Sequence, residues 1–358
     1  MTEPEQRRRE AARRLPEHKA DCLLVASPAN VRYLTGFTGS NALLILGHEE
    51  SWFFTDPRYA IQAPQQVSAK IKIAKRALIQ EAAALIRRKK FKKIGFESIW
   101  LHFADYEKLK DELALGYSLK PLSGIVEGLR AVKSAAEIDL IRRSVEANSE
   151  AFSRTVKRVR PGVRENDIAA EIEYQMRMLG AEKPAFETIV ASGIRTALPH
   201  AEPTDHRLTE NELLLIDMGA CLNGYTSDMT RVAYLGVPPK SIRATYRAVL
   251  EAQLAAIDSV RAGIPASRVD RTARDVLKRH ELAKEFVHST GHGLGLEIHE
   301  MPRIGRKEKT RLKAGMVITI EPGVYIEGLG GVRIEDTVLV TEHGAEVLTP
   351  TPKEFLQL

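Results

Sequence analysis

Glu212-Leu-Leu-Leu-Ile-Asp-Met-Gly-Ala-Cys221 and Tyr225-Thr-Ser-Asp-Met-Thr-Arg-Val-Ala-Tyr-Leu235, separated by Leu222-Asn-Gly224, decide how this chain is read. Both runs are strand-like, and Asn223-Gly224 is a strong signal for a two-residue hairpin loop. That loop sets position 217 opposite 230, so Asp228 falls two residues from the partner of Asp217, on the same face. Side chains so related reach a common ion or ion pair. A second hairpin is expected from Met316-Val-Ile-Thr-Ile-Glu321 and Val332-Arg-Ile-Glu-Asp-Thr-Val-Leu-Val340, joined through Pro322-Gly323 and Gly328, Gly330 and Gly331. It carries Glu321 and Glu335. His292 lies in Thr290-Gly-His-Gly-Leu-Gly295, where glycine permits close backbone approach.

Asp217, Asp228, His292, Glu321 and Glu335 make a set of four carboxylates and one imidazole. Four gathered anions raise one another's pKa unless cations neutralise them. Two divalent ions balance four negative charges, and the usual task of a two-metal site is to activate water for hydrolysis. Taken singly, each residue has an ordinary reading as a turn aspartate, a solvated strand end or a loop histidine. Taken together they fit one pattern.

The order Thr188-Ile-Val-Ala-Ser-Gly193, Pro199-His-Ala201, Ile216-Asp-Met-Gly219, Gly224-Tyr-Thr-Ser-Asp-Met-Thr-Arg231, His288-Ser-Thr-Gly-His-Gly293, Glu297-Ile-His-Glu300, Thr319-Ile-Glu-Pro-Gly323 and Gly331-Val-Arg-Ile-Glu-Asp336 resembles the pita-bread-fold metallopeptidases. Within them it resembles the Xaa-Pro aminopeptidases and prolidases. The resemblance implies that Asp217 is the bidentate ligand of one metal and that Asp228 and Glu335 bridge both. It makes His292 and Glu321 the remaining ligands. It implies catalytic or substrate-holding roles for His200, His288, His299, Arg333 and Glu321, the last as proton shuttle, and substrate contacts for Tyr325. Arg303 is the candidate clamp for a free carboxylate. Manganese is the first expectation for the metal, with Co²⁺, Zn²⁺ or Fe²⁺ compatible with the donor set.

Upstream, residues 4–19 pattern as a charged helix and Cys22–Ala26 as a strand, with a turn opening at Ser27-Pro-Ala-Asn30. Asn41–Leu46 and Ser51–Thr55 read as paired strands, and helices near 77–89 and 103–114 alternate with a short strand at Lys93–Phe96. Tyr33-Leu-Thr-Gly-Phe-Thr-Gly-Ser-Asn41 and Phe54-Thr-Asp-Pro-Arg-Tyr59 resemble the creatinase-type N-terminal domain. Arg58 reads equally as a structural ion pair at a helix start. A long helix from Ser134, with Glu137 completing a capping box, runs to Val159 before Pro161-Gly162. Further helices are expected near 165–179, 241–262 and 266–280. The expected architecture is α/β (α+β): a creatinase-like mixed-sheet domain over 1–126, a linker at 127–133, and a pita-bread catalytic domain over 134–358.

The chain's 358 residues, 44% of them apolar, suffice for two cores. The formal charge of +6 gathers at Arg7-Arg-Arg9 and Arg87-Arg-Lys-Lys-Phe-Lys-Lys93, without the interleaved aromatics expected for single-strand binding, so no nucleic-acid partner is expected. No apolar run reaches membrane-spanning length, and the charged N-terminus has no apolar stretch behind it. Cys22 and Cys221 read as reduced core residues, and a cytoplasmic location is expected. The resemblance implies a proline-containing peptide substrate and a homodimer. The leading expectation is an Xaa-Pro aminopeptidase, with a dipeptide-restricted prolidase as the alternative. A metal-free pita-bread module that binds partners is the non-enzymatic alternative, disfavoured by the intact ligand set.

Overall fold

The computed structural model describes residues 2–358. Residues up to Arg130 form one compact unit and Ala131–Leu358 a second. In the first unit a six-stranded mixed sheet runs in the order Lys70–Ile73, Ser51–Thr55, Ala42–Gly47, Cys22–Val25, Lys93–Glu97, Ser118–Leu122. Its central strands are buried along their length, which is why they read as unbroken apolar runs. Leu78–Lys89 lays Ile79, Ala82, Ala83 and Ile86 against this core.

One local expectation there is corrected. Ser27-Pro-Ala-Asn30 opens a helix, Pro28–Thr35, because the Ser27 hydroxyl accepts the Asn30 N–H and Pro28 sits at a first-turn position that needs no donor. Glu127–Arg130 is a short helix, Val132 pairs with Met316, and the Lys133 N–H donates to the Gly315 carbonyl. Arg58 makes the ion pair, gripping both oxygens of Asp56, the cap of a single turn at Pro57–Tyr59.

In the second unit the helix Ala135–Val156 starts at a Ser134–Glu137 capping box. It packs with Glu165–Met178, while Lys240–Asp258 packs with Ala266–Arg279. Two sheets carry the functional strands: one with Ile189–Ser192, Glu212–Met218 and Met229–Leu235, the other with Glu300–Ile304, Gly291–Gly293, Val317–Ile320, Asp336–Val340 and Ala345–Val347.

Both expected hairpins form, but each is interrupted. Asn223 and Gly224 have φ of 51° and 81°, as a type I′ loop requires. Leu222 pairs with Tyr225, and beyond a break Met218 pairs with Met229 and Asp217 with Thr230. In the second hairpin Ile320 pairs with Asp336, and Gly323 pairs with Arg333 beyond a break. One register runs through each break, so Glu321 stands level with Glu335. Asp217 lies two residues before the first interruption, still paired with Thr230, and Asp228, Glu321 and Glu335 lie at the interruptions themselves. There the backbone leaves its ladder and bonds elsewhere: the Asp228 carbonyl accepts the Thr337 hydroxyl, and the Glu321 N–H donates to the Thr290 carbonyl.

Candidate metal centre

Asp228, His292 and Glu335 each present a ligand atom within 4.8 Å of the others. His292 Nε2 lies 3.5 Å from Asp228 Oδ2 and 3.5 Å from Glu321 Oε1. Gly291 and Gly293 make this approach possible. A Cβ on Gly291 would sit 2.0 Å from the Thr319 carbonyl oxygen, and one on Gly293 2.3 Å from that of Met301. His292 Nδ1 donates to the Gly293 carbonyl at 3.0 Å, which fixes the tautomer and leaves the Nε2 lone pair facing the carboxylates.

Asp217 stands outside that trio and is tied to it through Arg333, whose NH2 donates to Asp217 Oδ2 at 2.6 Å. Arg333 Nε donates to the Thr230 hydroxyl, which donates to Glu335 Oε2 at 2.6 Å. Arg333 also bonds the Tyr325 hydroxyl and the Pro199 carbonyl, and Tyr325 meets His288 Nε2 at 2.9 Å. His299 lays its ring edge against His292, with centroids 4.4 Å apart. His200 is exposed, whereas burial lowers both His288, to about 4, and His299.

The electrostatics are those of an anion cluster without enough cations. Burial, then the neighbouring carboxylates, holds Asp228 and Glu335 well above the usual carboxylate range. Burial raises Glu321 to about 7 and lowers His292 to about 4, the direction of a neutral ligand. Arg333 stays charged despite its burial because Tyr325 and the acids around it outweigh the desolvation. Three buried oxygens, Asp217 Oδ1, Asp228 Oδ1 and Glu335 Oε1, have no hydrogen-bond partner in the protein. Orphaned acceptors beside a metal-competent imidazole are what a divalent-cation site requires, so the residues fit the group.

Arg303 is exposed and pairs with His292 across the ladder, so the two side chains share a face. Its Nε donates to the Ser289 hydroxyl at 3.2 Å.

Several supporting residues escaped the sequence reading. Asp270 Oδ1 accepts both the N–H and hydroxyl of Thr290, while Arg274 bonds the carbonyls of Phe286 and His288. One helical face thereby grips the segment carrying His288 and His292, and an i, i+4 acid–base pair was its only signal. Arg231 donates to the carbonyls of Thr230 and Glu335 and pairs with buried Asp336, which also accepts from Gln253 and Lys353.

Residues 139–342 match the model of metallopeptidase family M24, and residues 7–132 that of the creatinase/prolidase N-terminal domain. The Xaa-Pro dipeptidase of Pyrococcus furiosus is 39% identical over 344 residues, covering 96% of this chain and 97% of that one. The structure of an Xaa-Pro dipeptidase from Bacillus anthracis superposes with a TM-score of 0.97 at 35% identity, covering 99% of this chain and all of the other. That of an X-Pro aminopeptidase from Thermotoga maritima gives 0.89 at 34% identity, covering 95% and 98%.

Proposed function

Because the chain belongs to metallopeptidase family M24 and carries the creatinase/prolidase N-terminal domain, we propose that it is an Xaa-Pro dipeptidase working with two divalent metal ions. Asp217, Asp228, His292, Glu321 and Glu335 would hold the ions, with manganese the first choice. The observation that carries the metal reading is that Asp228 and Glu335, which present ligand atoms within 4.8 Å of each other and of His292, each keep a buried oxygen without a hydrogen-bond partner.

When bound, the ions supply acidified water and polarise the scissile carbonyl. Glu321 accepts the proton that water loses on attack and returns it to the proline nitrogen as the C–N bond breaks. That nitrogen carries no hydrogen in the intact peptide and leaves as an amine only when protonated. His299, half-exposed beside His292, donates to the oxygen on which charge develops. Arg333 keeps Asp217 and Tyr325 in place.

Of the two activities left open above, the dipeptidase has the better support. Two relatives named as Xaa-Pro dipeptidases, one by sequence and one by structure, align along nearly the whole chain. Arg303 stands on the face of His292, where a guanidinium can pair with the free carboxylate of a substrate that ends at proline. The test compares an Xaa-Pro dipeptide with an Xaa-Pro-Yaa tripeptide on one preparation. We expect the dipeptide to be strongly preferred, with Arg303→Ala raising its KM by roughly 10- to 100-fold through loss of a charge-assisted pair. Equal turnover of both peptides, unaffected by Arg303→Ala, supports an aminopeptidase instead.

The same reading includes a homodimer, for light scattering to test, and a cytoplasmic setting. The latter is supported by Cys22 and Cys221 being free and buried. Among the described residues no helix is long and apolar enough to cross a membrane.

A further inference from the structure

Lys133 lies in the stretch that the sequence presents as a linker, yet its side chain is 1% exposed. Its ammonium donates to Glu300 Oε2 at 3.1 Å, and the Glu300 side chain is itself only 5% exposed. The other oxygen, Oε1, accepts the Glu297 N–H at 3.1 Å. The segment Gly295–Glu300 is wrapped around this carboxylate so closely that a Cβ on Gly295 would sit 2.9 Å from both oxygens. The Gly295 carbonyl also accepts the Thr226 N–H and hydroxyl, at 2.8 and 3.0 Å, two residues before Asp228. His299 immediately precedes Glu300.

A buried ion pair is seldom the cheapest way to fill a core, since apolar replacements of similar volume are often as stable. Here an apolar pair would leave the Glu297 N–H without its acceptor and the loop without its centre. Lys133 is rigid in turn. Its N–H donates to the Gly315 carbonyl, Val132 pairs with Met316, and Ser134 caps the long helix directly after it.

We propose that Lys133 is a positioning residue: through Glu300 it fixes the Gly295–Glu300 loop and so holds the His299 imidazole over the metal site. This rests on the role given to His299 above. Misplacement of a reacting group by about an ångström costs on the order of 10²-fold in rate.

The test is a double-mutant cycle on the full-length, metal-loaded protein with an Xaa-Pro dipeptide, together with hydrogen exchange of the metal-free and loaded forms. Lys133→Met should lower kcat roughly 10²-fold while changing KM by less than about threefold, with metal content unchanged. Amides of Gly295–Glu300 should exchange roughly tenfold faster, those of Phe286–His292 at their former rate. Lys133→Arg should retain most of the activity. In a His299→Ala background, Lys133→Met should cost less than about twofold, because the two act through one group. Losses that multiply, or a protected loop with unchanged kcat, overturn the proposal. A His299→Ala enzyme with unchanged kcat overturns the role of His299 itself, a separate outcome. If Lys133→Met does not fold, Lys133→Met/Glu300→Gln, which strands no buried charge, takes its place with the same expected losses.

Discussion

Asp228 Oδ1 and Glu335 Oε1 are the acceptors on which the reading of the site turns, since each is buried without a donor. Removing one such carboxylate should empty the site, because both were assigned to bridge two ions. Asp228→Ala is therefore expected to bind no more than a trace of metal by elemental analysis and to lose nearly all turnover. A variant that keeps its metal content and its rate contradicts the bridging assignment. At this scale the candidate residues were legible, since carboxylates and a histidine at strand ends and glycine turns stand out, and Asp228, His292 and Glu335 come together in the fold. Their partners were not. Nothing in the order of residues says that Arg333 reaches Asp217 or that Thr230 joins Arg333 to Glu335. Those bonds depend on how two hairpins distant in sequence meet.

The hairpins account for most of what could be read at the next scale. The register of Asp217 against Thr230 followed from the Asn223-Gly224 loop, because a two-residue type I′ turn leaves no freedom in pairing. The interruptions did not follow, because a glycine within a strand, such as Gly219, signals a bulge or a close approach without saying which, and Ser227-Asp228 carries no signal of its own. The helix Ala266–Arg279 was legible as a helix but not as a clamp. Its Asp270 is 1% exposed and serves Thr290 and Arg274 together. Asp270→Ala strands a guanidinium and two donors, and should lower stability by about 3 kcal/mol as read by urea denaturation. Turnover should fall as the His288–His292 segment loosens. A loss below about 0.5 kcal/mol, typical of surface sites, contradicts the clamp.

For the molecule as a whole, the chain forms two compact units that divide after Arg130, and Val132 and Lys133 are held by partners within the second. The two units respond to different solution conditions. In the first, Glu97 accepts the N–H groups of Ala26 and Ser27 and the Asn30 amide, and burial still raises it to about 7. The folded chain thus holds a proton that the unfolded chain releases near the ordinary carboxylate value. The resulting stability is complete below that value and disappears as pH rises through about 7. The stability of the wild type relative to Glu97→Gln should therefore shrink between about pH 5 and 8 in parallel denaturation series, and a growing difference contradicts the buried neutral acid. In the second unit the metal dominates. Ions that bind only the folded chain raise its melting temperature, and chelation should lower it. The most direct measurement is a titration of the chelated protein with Mn²⁺, following bound metal and Xaa-Pro dipeptide hydrolysis together. The account predicts no hydrolysis before metal is added and full activity as the second ion per chain binds. Undiminished hydrolysis in the chelated protein, or saturation with metal and no cleavage of any Xaa-Pro peptide, would contradict it.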